Sequence, residues 1–221
     1  MNQNLLNQYR TPETPGSFFL SFEGIEGSGK TTQISDLETH LKGLGKRVLV
    51  LREPGGSTFG EKLREAILES KVPLHPLAEC HLFLSSRAQL LNEKILPFLL
   101  QPDSVVILDR YIDSTIAYQG FARRLGLETV LTLHQHNPLN LLPHRTYFLD
   151  IDFQTSLERQ NKRGNAKDYF ESEKEEFYQQ LIAGYRALPE LFPNRILKID
   201  ASGDPSSIKE AILKDLGAIL K

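Results

Sequence analysis

Residues Gly24-Ile25-Glu26-Gly27-Ser28-Gly29-Lys30-Thr31, followed by Thr32, fill every fixed position of G-x-x-x-x-G-K-[ST]. Glycines at these places let the backbone curl so that successive N–H groups converge on one oxyanion. A helix starting there adds its unpaired N-terminal donors and its dipole. Lys30 can reach the β- and γ-phosphates of a nucleoside triphosphate, and the Thr31 hydroxyl can ligate Mg²⁺. The run Val105-Val106-Ile107-Leu108-Asp109 ends in a carboxylate, which suits a contact to the same ion, direct or through water. The pattern therefore expects a nucleoside triphosphate with Mg²⁺ at residues 24–32, in a loop that GTPases, ATPase motors and small-molecule kinases all use.

Several phosphate-loop chemistries are excluded by neighbouring residues. Arg110 follows Asp109, where many motor ATPases place an acid that activates water. The chain has no N-K-x-D segment, and Asp200-Ala201-Ser202-Gly203 follows the last apolar run rather than an early one, so a GTPase is not expected. Small-molecule kinases and P-loop nucleic-acid ATPases remain, and the acceptor stays open. A hydroxyl acceptor needs a base to take its proton; a phosphate acceptor does not. Its second pKa of about 6 makes it a nucleophile at pH 7 without a strong base. It needs cations to offset repulsion between two polyanions, and a geometry for in-line attack. Arg52, Arg64, Arg87 and Arg110 are placed to supply them.

Five short apolar runs must position these groups: Phe18–Phe22, Val48–Leu51, Val105–Leu108, Tyr147–Ile151 and Ile196–Ile199. They are nearly continuous rather than alternating, as in strands buried on both faces of a parallel sheet. Helical periods lie over Thr31–Leu44 (closed by Gly45), Thr58–Ser70, Leu77–Leu100, Leu127–His136, Thr155–Arg163, Lys174–Leu188 and Ser206–Leu220. The alternation predicts an α/β fold: a three-layer P-loop NTPase fold with a five-stranded parallel sheet and helices on both faces. Ligands then bind beyond the carboxyl ends of the strands, where the residues above fall.

With those residues in view, the chain resembles the bacterial thymidylate kinases. The resemblance rests on Gly24–Thr32, Arg52-Glu53-Pro54-Gly55-Gly56, Asp109-Arg110-Tyr111 and Ser114-Thr115-Ile116-Ala117-Tyr118-Gln119-Gly120, in that order and spacing, from about residue 18 onward. It implies transfer of the γ-phosphoryl of ATP to dTMP, giving dTDP and ADP for dTTP synthesis, by a homodimer using Mg²⁺. It implies that Phe83 stacks on thymine and that Arg87, four residues on, bonds the base edge. Arg110 and Arg64 would hold the dTMP phosphate, and Thr115 and Gln119 would complete base and sugar recognition. Glu26 would bond the 3′-hydroxyl. Tyr118 reads as a packing residue, and Glu53 as a partner of an arginine or of the metal.

Some members of that family carry a basic residue inside the phosphate loop, where this chain has Gly27. The resemblance then assigns the transition-state cations to a lid at about 159–171, entered through Leu157–Gly164. Arg163 is expected at the transferring phosphoryl and Arg159 nearer the adenine and α-phosphate. His144 stands where an acid is usual, and Tyr169 and Phe170 stand where basic or aliphatic residues are. His134 and His136 do not share a helical face; together with His144 they read as loop or surface residues rather than metal ligands.

The whole chain sets outer bounds. It has 221 residues, 40% hydrophobic and 24% charged, as in ordinary globular domains. Lys plus Arg is 26 against 28 Asp plus Glu, so no global basic field favours nucleic acid. The lone Cys80 rules out an internal disulfide and fits a reduced, cytoplasmic setting. No apolar run approaches the roughly 20 residues that span a bilayer, so no membrane partner is expected. Residues 1–16, rich in Asn, Gln, Thr and Pro, read as a flexible leader before a single kinase domain at 17–221.

Overall fold

The computed structural model describes residues 6–163, 169, 170 and 173–220, with Arg163 described by its backbone alone. Five parallel strands form one sheet: β1 (Phe18–Glu23), β2 (Arg47–Arg52), β3 (Ser104–Asp109), β4 (Arg145–Asp150) and β5 (Ile196–Asp200). Their order is β2-β3-β1-β4-β5. The interior strands are apolar because both faces are covered. Phe19, Leu20 and Phe22 of β1 and Val105–Leu108 of β3 are buried, whereas edge strand β2 is half exposed.

Helices cover both faces. They are α1 (Lys30–Gly43), α2 (Thr58–Leu68), α3 (Pro76–Leu90), α4 (Ile112–Thr115), α5 (Leu127–Leu133), α6 (Phe153–Arg163), α7 (Glu175–Leu191) and α8 (Pro205–Ile219). α3 runs on through a wide turn at Leu91–Ile95 into Leu96–Leu99, and α4 continues as a wide turn over Ile116–Ala122. Boundaries fall within a few residues of the sequence expectation, with one exception. The periodic reading omitted a helix over 112–122, because residues Ile112–Gly120 are all buried and show no polar stripe.

The connections position the site. β1 leads to β2 on one side of the sheet, and β3 leads across β1 to β4 on the other. The strand order thus reverses beside β1, and its carboxyl end is the crevice in which such sheets bind ligands. Register sets Asp109 beside Phe22 and Arg52 beside Asp109, so all three strand ends face that crevice.

The described part of the leader is held down. Tyr9 Oη donates to the Leu131 carbonyl at 2.7 Å, Arg10 bonds the Asn137 side chain, and the Pro12 carbonyl meets His144 Nε2 at 3.0 Å. Leu6 and Tyr9 supply apolar surface that packs on the core, which composition alone did not weigh.

Candidate active site

The phosphate loop closes tightly on the sheet. Gly24 has φ +139°, and a Cβ there would sit 2.5 Å from the Leu149 carbonyl. Gly27, at φ +80°, lies against α6: a Cβ would come within 3.2 Å of Arg159 Cβ and the Ser156 carbonyl. α1 starts at the loop with Gly29 as its N-cap. Lys30 Nζ bonds the Gly24 carbonyl at 3.0 Å. Burial and then Arg110 lower the Lys30 pKa, with Asp109 and Glu26 opposing. Ser28 Oγ is buried with no partner among the described residues, a polar atom facing inward in a loop built for an anion.

Asp109 and Thr31 line one groove together with Arg52, Gly56 and Glu61. Asp109 Oδ1 is buried without a partner among the described residues. A hydroxyl and a free carboxylate oxygen beside a phosphate loop fit Mg²⁺, which binds through one or two such ligands plus phosphate and water. Among the described residues no cluster of three or more His, Cys, Asp or Glu side chains could hold a metal unaided.

A second, partly enclosed pocket of about 80 Å³ lies beside the loop, lined by Glu26, Glu53, Arg64, Phe83, Arg87, Arg110, Ser114, Thr115, Tyr118, Gln119 and Phe170, among others. Of the residues that the sequence singled out, the fold brings Glu26, Arg64, Phe83, Arg87, Arg110, Thr115 and Gln119 together around this pocket. Arg52 is not among them. It is exposed, pairs with Glu61 at 2.9 Å and lies in the Asp109–Thr31 groove, because its strand is at the sheet edge.

Arg87 is 1% exposed and held on several sides. Its Nε donates to Glu53 at 2.7 Å, and its NH1 contacts Thr115 Oγ1 at 3.0 Å and His134 Nε2 at 2.6 Å. The guanidinium also lies over the Tyr111 ring at 4.7 Å. Of the two roles considered for Glu53, the geometry selects the arginine. His134, read as a surface group, is buried at the end of α5; burial and then Arg87 push its pKa down to about 3. A neutral ring that accepts from Arg87 carries its proton on Nδ1, which meets the Val130 carbonyl at 2.7 Å. His144 is likewise structural: its Nδ1 accepts from Phe19 N at 2.9 Å.

Arg110 adopts φ +71°, turning its side chain back toward the loop. It donates to the Gly24 carbonyl at 2.9 Å and to Tyr185 Oη at 3.0 Å, and pairs with Glu26. Burial opposes ionisation of Glu26, but the cations Arg110 and Lys30 hold its pKa below the usual carboxylate value. Tyr118 does more than pack: its hydroxyl meets both Glu26 oxygens at 3.2–3.3 Å. Glu23, unremarked in the sequence, is fully buried where β1 meets the loop. It accepts from Tyr111 N at 2.7 Å and Ser114 Oγ at 2.6 Å. Burial, and then Asp113, raise its pKa to about 7. An acid ending an otherwise apolar strand was the available signal.

On the far side of the loop, Asp152 caps α6 by accepting from Thr155 N at 2.7 Å. Ser156 Oγ donates to the Glu26 carbonyl at 2.7 Å, fastening α6 to the loop. Arg159 donates to the carbonyls of Gly27, Ala201 and Ser202, each at 3.0 Å, and so joins the phosphate loop to the turn after β5. The side chain of Arg163 and residues 164–168, 171 and 172 of the expected lid lie outside the described residues. Phe170 is described; it lines the pocket beside the loop and meets Tyr118 edge-on at 5.2 Å.

A phosphate loop at a strand-order reversal, with a pocket set against its rim, defines a P-loop phosphotransferase. Comparison with known proteins narrows this. The family model described as thymidylate kinase matches residues 22–212. A thymidylate kinase from Caldanaerobacter subterraneus subsp. tengcongensis is 43% identical over 92% of this chain and 96% of its own. One from Kosmotoga olearia is 37% identical, covering 92% and 97%. The solved thymidylate kinase from Ehrlichia chaffeensis superposes with TM-score 0.69 at 29% identity, covering 92% of this chain and 99% of that one. The chain belongs to the thymidylate kinase family.

Proposed function

We propose that this chain transfers the γ-phosphoryl group of ATP to dTMP, with the triphosphate on residues 24–32 and dTMP in the pocket beside them. The observation that carries the reading is that Glu26, a phosphate-loop residue, and Arg110, which bonds the loop's Gly24 carbonyl and pairs with Glu26, both line the pocket that holds Phe83 and Arg87. Lys30 and the loop N–H groups hold the β- and γ-phosphates of ATP. Arg110 takes the dTMP phosphate, exchanging its contact with Glu26 for one with the incoming anion, and Arg64 adds charge at the same pocket. Glu26, kept ionised, accepts from the 3′-hydroxyl. Phe83 offers a stacking face, and Arg87 and Thr115 offer polar contacts to the base edge.

Mg²⁺ would be held by Thr31 and Asp109, and when bound it supplies charge neutralisation across the transferring phosphates. We take Arg163 and Arg159 as the lid cations of the transfer, and the working form as a cytoplasmic homodimer that engages neither nucleic acid nor membrane. The test is an acceptor panel with ATP and Mg²⁺, read as ADP formed with dTMP, dUMP, dCMP, dGMP and thymidine. Turnover with dTMP and none with thymidine is expected. Turnover on thymidine alone, or ATP consumption without any acceptor, overturns the reading. Chelating the metal is expected to abolish turnover, and Asp109→Asn to raise the Mg²⁺ concentration for half-maximal rate.

A further inference from the structure

Arg123, at the end of the α4 continuation, joins two parts of the molecule that the reaction scheme above leaves unconnected. Its Nε lies 3.2 Å from Glu79 Oε2, and its NH1 pairs with Glu173 at 2.7 Å. Glu79, in the first turn of α3, is completely buried and accepts from Gln119 Nε2 at 2.8 Å. The Arg123 guanidinium also lies over the rings of Phe177 at 4.7 Å, Tyr169 at 5.5 Å and Phe170 at 5.8 Å. One side chain therefore touches both the carboxylate behind Gln119 and the aromatic segment bearing Phe170, and both Gln119 and Phe170 line the acceptor pocket.

The chemistry of Glu79 makes this consequential. The bond from Gln119 Nε2 to Glu79 Oε1 turns the amide NH₂ of Gln119 toward that carboxyl group. The Gln119 carbonyl oxygen is then the end left to meet a donor. Thymine and uracil carry an N3–H donor; the cytosine N3 is an acceptor. Arg123 is the cation in contact with the buried Glu79, and it fixes the side chain on which Gln119 rests.

We propose that Arg123 is a positioning residue for acceptor selectivity, fixing the Gln119 amide through Glu79 while holding Phe170 at the pocket. The proposal rests on the reading of that pocket as the dTMP site. The test is steady-state kinetics of Arg123→Met and Arg123→Lys on dTMP and dCMP, with folding checked by circular dichroism and thermal melting. Arg123→Met is expected to raise KM for dTMP about tenfold, to leave KM for ATP within twofold, and to narrow the dTMP-to-dCMP ratio of kcat/KM at least tenfold. Arg123→Lys keeps the charge but lacks the fork that spans both acids, and should recover part of the ratio. A folded Arg123→Met, or Arg123→Lys where only that variant folds, with KM for dTMP and the selectivity ratio both within twofold of wild type overturns the proposal. Wild-type protein that fails on dTMP overturns the pocket assignment instead.

Discussion

Arg87 shows how much a single side chain in this site depends on its partners. A guanidinium has five N–H donors. Glu53 receives two of them, through Nε and NH2, and Thr115 and His134 receive one each from NH1. The remaining NH2 hydrogen has no hydrogen-bond partner among the described residues, and Arg87 lines the pocket beside the loop. Removing the counter-charge strands a buried cation, an effect on the order of 3–5 kcal/mol. Glu53→Ala is therefore expected to lower unfolding free energy by that amount in urea titrations, and Glu53→Ala/Arg87→Met to recover part of it. At the phosphate loop, Lys30→Met should fold normally, since its bonds go to loop carbonyls, yet lose about 100-fold or more in kcat. A coupled ADP assay reads that loss. The residues named by motif were legible in the sequence because their spacing is local. Glu53 with Arg87, Glu79 with Arg123 and His134 with Arg87 join residues 34, 44 and 47 positions apart, where no periodicity marks a pair.

Elements were legible where burial imposed a pattern. The interior strands are apolar runs because the sheet is covered on both of their faces, and most helices show a stripe because one side meets solvent. The segment 112–122 has neither signature, since residues 112–120 are buried on every side, and it supplies Ser114, Thr115, Tyr118 and Gln119 to the pocket beside the loop. The turn from β1 into α1 yields a prediction at this scale. Gly24→Ala forces a side chain against the Leu149 carbonyl at a φ that L-residues avoid, and should cost more than about 2 kcal/mol. Gly43→Ala in the last turn of α1 meets nothing within 4 Å and should gain about 0.5–1 kcal/mol. Thermal melts would show the pair moving in opposite directions, at roughly 2–4 °C per kcal/mol for a chain of this size.

For the whole molecule, the acid limb of stability carries the mark of His134. Its folded pKa of about 3 lies below the ordinary 6.5, so the unfolded chain binds the proton first. Stability from this group is complete above pH 6.5 and falls as pH drops toward 3, at up to about 1.4 kcal/mol per pH unit. His134→Asn should flatten the dependence between pH 6 and 4 by that slope in urea unfolding, while lowering stability at pH 7 through a weakened contact to Arg87. A curve parallel to wild type across that window would show that His134 does not hold its proton off in the folded chain. Net charge and composition foretold an ordinary globular body, but not which histidine would be sealed inside it.

The strand at the middle of the sheet has a practical bearing on how this chain can be shortened. The family match starts at residue 22, inside β1, whereas the strand itself starts at Phe18 and hydrogen-bonds to neighbours on both sides. Upstream, Tyr9, Arg10 and Pro12 stitch the beginning of the chain to residues 131–144. A fragment cut at the homology limit would lose the central staple of the sheet, and one cut at Gly16 would still lose the stitches. A minimal version that keeps its native melting temperature has to retain Leu6 and Tyr9, which pack on the core.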